Sequence, residues 1–153
     1  RKESSAASDV YKRQGQNNNN MKVITMELAL RILLRLLALG MLIGAVGFIF
    51  NPAAMEADFA VRALETHGMG TLRGDLGGTF LMLAIFTFHG SRAGCAAWLA
   101  VPLVFMLTVL FGRVVHIVLD GLTDPAIRST IIELIAVAIL EYARRKLATE
   151  NNN

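Results

Sequence analysis

The chain is poor in the residues that build most active sites. Its 153 residues include one cysteine, three histidines, three prolines and one tryptophan. A single Cys95 excludes an intramolecular disulfide framework and any multi-cysteine metal centre, and reads as a small apolar residue in a helix. The histidines, His67, His89 and His116, are far apart in sequence and form no paired motif of the HExxH kind, so no metal site is expected. The glycines between Gly68 and Gly78 lack the spacing of a nucleotide-binding loop and suit turns and helix contacts instead. Charge is also scarce, at 18%.

Nucleic-acid binding is excluded by where the charge lies. The net charge is +3, but Arg1, Lys2, Lys12 and Arg13 sit in a polar tail. From Met21 to Glu150, eleven basic residues face ten acidic ones, with no basic stripe to follow a phosphate backbone.

What remains is apolar: 54% of the chain, with a mean hydropathy of +0.51. Residues 1–20 stand apart. They have no apolar periodicity, are serine-rich and end in four asparagines, so they read as a disordered, non-native tail. Residues 151–153 read as a tail or placeholders. No cleavage motif joins the tail to the first apolar run, so no signal peptide is expected. Residues 21–150 form a single domain.

The apolar runs predict an all-α fold, a four-transmembrane-helix bundle with a short interfacial helix in the first loop. The first span is expected from Met26 to Phe50, with Glu27, Arg31 and Arg35 on one stripe near its start, where arginines can reach the headgroups. Asn51 and Pro52 read as cap and first-turn residue of the short helix, which is expected to reach Thr66. The second span is expected over Thr71–His89. The third, Ala93–Leu119, contains twenty charge-free residues from Ala93 to Gly112 and a bend at Pro102. The fourth is expected over Pro125–Leu147, with Asp124 as its cap. Basic residues gather at the first helix start, Arg92 and Arg144–Lys146, which places both termini in the cytoplasm by the positive-inside rule. Gly40, Gly44 and Ala45 offer a small-residue face, either to a partner or to the bundle itself.

The candidate site is polar. Arg113, His116 and Asp120 lie at spacings of three and four and share one helix face. At ~1.5 Å per residue Arg113 lies roughly 10 Å, and Glu133 roughly 12 Å, from the turn joining their helices, so the two can meet at one depth. Arg73 and Asp75 approach from the same side. These six residues line either a polar ligand pocket or an ion-pair network that fixes helix order; both readings stay open. An enzyme reading would use His116 as acid–base group, oriented by Asp120. No activated nucleophile accompanies it, and no cofactor is implied.

The loop around Glu65, the Arg73–Gly78 segment, Arg113 with Asp120–Gly121, and Glu133 together resemble the uncharacterised DUF4345 family of small bacterial membrane proteins, similar in form to DoxX-like four-helix proteins. The resemblance covers Leu28 to Arg145. It implies a four-span, multi-pass protein of the bacterial inner (cytoplasmic) membrane and no particular reaction. The expected role is an accessory subunit or small-ligand-binding protein. Its expected partners are the lipid bilayer, a larger membrane complex or a second copy, and a small lipophilic ligand.

Overall fold

The computed structural model describes residues 2–149, and the side chains of 16, 21 and 24–149. The backbone of residues 2–20, expected as a disordered tail, lies within the first helix, and of their side chains only that of Gln16 is described; residues 151–153 fall outside the described chain. The described residues are all α-helical apart from short connections. Helix α1 covers Lys2–Phe50, α2 Pro52–Phe59, α3 Thr66–Thr71, α4 Gly78–Gly90, α5 Ala100–Asp120 and α6 Asp124–Thr149. A π-helical segment, Leu72–Gly77, joins α3 to α4, and a 3₁₀ turn, Ala96–Leu99, leads into α5.

The long helices run up and down beside one another, with α1 packed on α4 and α5 on α6. One apolar cluster ties these pairs together. Leu30 and Leu34 of α1 meet Ala96, Leu99 and Leu103, and Leu140, Ala143 and Leu147 of α6. A smaller cluster joins Met41 to Leu83 and Ala84. At the other end of α1, Phe48, Phe59 and Phe80 form a ring trio with centroids 4.8, 5.8 and 5.6 Å apart. Edge and stacked contacts of this kind add to simple burial, and here they fasten α2 and α4 to the end of α1.

The expected four-span bundle is not what these helices make. Among the described residues only two helical stretches are long and apolar enough to cross a bilayer, Ile24–Phe50 and Ala96–Asp120. The second expected span fails because its regular helix is only 13 residues. At ~1.5 Å per residue that is roughly 20 Å, short of a hydrocarbon core of about 30 Å. Its extension is π-helical and carries Arg73 and Asp75, both exposed. The fourth fails on charge, since every 18-residue stretch of α6 holds at least three charged residues, as Arg128, Glu133 and Glu141 do in its middle. The four-helix transmembrane bundle is thus corrected to an all-α domain with two candidate spans. The multi-pass inner-membrane placement with both termini cytoplasmic depended on four alternating spans and is overturned with it.

Smaller differences have local causes. The helix after Asn51 stops at Phe59, because Ala60 turns left-handed at φ 52°. Gly68 and Gly70 lie inside α3 instead of ending a helix. Pro102 sits in the first turn of α5, where its missing N–H costs little, and does not bend the helix midway. The cap of α6 is Thr123, whose Oγ1 accepts from the Ala126 amide at 3.4 Å, one residue before the expected Asp124. Gly121 ends α5 at φ 95°, a conformation that favours glycine.

Candidate functional site

The six predicted polar residues divide into two groups. Arg113 of α5 and Glu133 of α6 meet as expected: the Arg113 Nε donates to Oε1 at 3.1 Å and Oε2 at 3.3 Å, and Nη2 donates to Oε1 at 3.0 Å. The Glu133 side chain is only 11% exposed and that of Arg113 36%. A forked guanidinium contact of this kind is stronger than a single neutral hydrogen bond. One turn further along α5, His116 Nδ1 lies 2.8 Å from Asp120 Oδ2, with both side chains well exposed.

Arg73 and Asp75 belong elsewhere, on the π-helical segment against the end of α1. Arg73 donates Nη1 to the Ile49 carbonyl at 2.9 Å. Terminal helix carbonyls lack partners within their own helix, and a cation there also suits the helix dipole. Arg73 therefore closes the end of α1. No hydrogen bond or ion pair joins this group to Arg113, His116, Asp120 or Glu133 among the described residues. Of the six residues, Arg73 lines an open cleft beside the π-helical segment, and the other five do not.

Two recesses of ligand size lie away from His116. The first is an open cleft of about 670 Å³ lined by Ala63, Glu65, Thr66, Met69, Gly70 and Arg73. It is built from unusual backbone. Glu65 holds φ at 151°, a region costly for any residue but glycine. Arg73 lies on the π-helical segment, a geometry frequent at functional sites. Glu56 steadies the loop by accepting the Ala63 amide at 3.1 Å. Arg73 is legible in the sequence as a polar residue near an apolar run, but this cleft is not, because its walls come from a loop with no periodic signal.

The second recess, about 470 Å³, is apolar and lies between α1 and α4. Arg35, Ala38, Leu39 and Leu42 line it from α1, and Ala84, Ile85 and Phe88 from α4. The spacing on α1 is legible as one stripe; the facing α4 residues are not paired with it by sequence alone.

The small-residue face turns inward in part. Ala45 is fully buried, and a Cβ on Gly44 would touch the Phe80 ring at 3.1 Å, whereas Gly40 faces open space. No cluster of three histidine, cysteine, aspartate or glutamate side chains able to hold a metal occurs among the described residues. Cys95 is a free thiol.

The comparisons add no relative: no family model, no curated protein and no solved structure matches the chain.

Proposed function

We propose that this small all-α domain is a lipid-contacting protein with an accessory or small-ligand-binding role. The supporting observation is the apolar surface of its two longest apolar stretches. On α1, Leu28, Ile32, Leu36, Leu39, Ile43, Val46 and Phe50 follow one another at spacings of three and four, and all are exposed. On α5, Val104, Leu107, Phe111, Val114 and Val118 do the same. A soluble monomer seldom leaves such stripes uncovered, because each buried side chain of this kind is worth about 1.5–3 kcal/mol. Lipid tails cover such a surface without needing complementary shape. The resemblance to the DUF4345 family belongs to this proposal only as a membrane-protein likeness and assigns no reaction.

The acid–base reading draws less from the geometry. His116 and Asp120 pair on an exposed face, and neither recess includes them.

Flotation with phosphatidylcholine vesicles tests the proposal. The full chain is expected to float with the vesicles and to resist alkaline extraction. A chain that stays monomeric and soluble without detergent overturns lipid contact. Native mass spectrometry in mild detergent then separates an accessory role from a solitary one, by the retention or loss of a protein partner.

A further inference from the structure

The recess between α1 and α4 has a charge at one end only. Its floor is Ala38 and Ala84, both buried and too small to fill the space between the two helices. Leu39, Ile85 and Phe88 form exposed apolar walls. Arg35 is its one charged lining residue, and among the described residues no ion pair engages it.

The level of Arg35 is fixed by its neighbour one turn back. Arg31 donates Nη1 to the Ser91 carbonyl at 2.8 Å. Ser91 begins the polar turn after α4, so α1 at Arg31 stands level with the end of α4. Arg35 lies roughly 6 Å further along α1, at ~1.5 Å per residue. A guanidinium on a three-carbon stem can reach back over that distance to the polar level while its stem stays among apolar neighbours. The recess is then an apolar trough whose polar end carries an uncommitted cation.

We propose that this trough is a binding site for an anionic phospholipid. One acyl chain lies along Ala38, Leu39, Leu42, Ala84 and Ile85, and the headgroup phosphate is held by Arg35. The inference rests on the lipid-contact reading and names the lipid class. An acyl chain fits because it has no backbone polar groups to satisfy, unlike a peptide. A partner helix could pack over the two alanines, but that shape alone supplies Arg35 with no anion, whereas a headgroup phosphate pairs with the guanidinium. The volume lies within the range of small-molecule sites. Net headgroup charge gives selectivity, since a choline ammonium offsets the phosphate that Arg35 would otherwise hold alone.

The test uses the full chain in mild detergent with equal amounts of phosphatidylglycerol and phosphatidylcholine, and native mass spectrometry to count retained lipids. Phosphatidylglycerol is expected to be retained over phosphatidylcholine by about tenfold, the ratio that one charge-assisted contact supplies. Arg35→Gln is expected to bring the ratio close to one, and Arg35→Lys to restore part of it. Leu39→Trp narrows the trough and should lower retention of phosphatidylglycerol while Arg35 remains. Both positions are exposed, so these variants spare the packed core. Equal retention of the two lipids by the unaltered chain overturns the site, as does an undiminished preference in Arg35→Gln. A dimer free of lipid, with the trough covered by a second copy, overturns it too. These failures leave lipid contact standing, provided the chain still floats with vesicles; a chain that needs neither detergent nor lipid sinks both readings.

Discussion

Arg113 and Glu133 lie twenty residues apart in sequence, yet their side chains form a forked ion pair across the α5–α6 hairpin, with Nη2 3.0 Å from Oε1. The acid is nearly buried while the base is partly exposed, so the pair sits between the surface and interior cases. Surface pairs contribute little and broken buried pairs cost several kcal/mol. Glu133→Gln is therefore expected to destabilise the domain by roughly 1–2 kcal/mol, between those limits. The same change in an Arg113→Met background should cost less, because no unpaired guanidinium remains. Thermal melts of the four proteins of this double-mutant cycle measure the coupling. Additive effects, with an unchanged melt for Glu133→Gln, would show that the pair does not fasten the hairpin.

That contact was legible in the sequence because helix rise and a short turn fix depth without any knowledge of tertiary packing. The stripe Arg113–His116–Asp120 was legible for the same reason. Legibility ended where distance along one helix ceased to determine place. Arg73 and Asp75 were expected at the same site because they too stand near the end of an apolar run. The π-helical segment instead turns Arg73 toward the Ile49 carbonyl. The span count failed for a related reason. Arg73 and Asp75 interrupt one expected span and Glu133 and Glu141 the other, so neither apolar stretch has the continuity that a bilayer requires. The Phe48–Phe59–Phe80 trio was invisible because it joins three separate elements, and no spacing within one helix announces it.

Leu140 tests whether the apolar cluster around Leu30 and Leu34 holds α6 to α1. It is fully buried between Leu30 and Leu34 of α1 and the start of α5. Leu140→Ala is expected to cost about 2–5 kcal/mol, as for other large-to-small core changes. Leu134, on the same helix but exposed, provides the control. Leu134→Ala should shift a detergent melt far less. Equal losses at the two positions would mean that α6 is held by its outward face and not by this cluster.

Two glycines separate close packing from helix propensity. A Cβ on Gly90 would lie 2.5 Å from Leu99 Cδ2 and 3.1 Å from the Leu99 backbone nitrogen. The side chain could move, but the backbone is part of the 3₁₀ turn. Gly90→Ala is expected to cost about 1–3 kcal/mol through overpacking. Gly40 lies within α1 with open space around it. Gly40→Ala should stabilise by up to about 1 kcal/mol, the difference in helix propensity between the two residues. Melting curves showing the same sign for both changes would contradict this packing of α4 against the 3₁₀ turn.

Near the end of α6, Glu141 accepts hydrogen bonds from Arg144 and Arg145, and these hold its pKa down at about 2 from an ordinary 4.5. The Arg144 hydrogen bond is the largest cause and the Arg145 bond the next. The folded pKa lies below the unfolded one, so the charged carboxylate favours the folded state. Its contribution is complete above pH 4.5 and declines as pH falls toward 2, where the folded protein also takes up the proton. The group is a quarter exposed, and water screens the contact, so the effect on stability should be small. Its pH dependence is more diagnostic than its size. Glu141→Gln should melt slightly below the unaltered chain at pH 6, and the gap should close as pH is lowered from 4.5 to 2. Arg144→Gln should raise the Glu141 pKa and shift that closing range upward, which carboxylate titration by NMR in detergent micelles would read directly. A gap between the two melts that stays constant across the range would mean that Glu141 contributes through packing rather than through its charge.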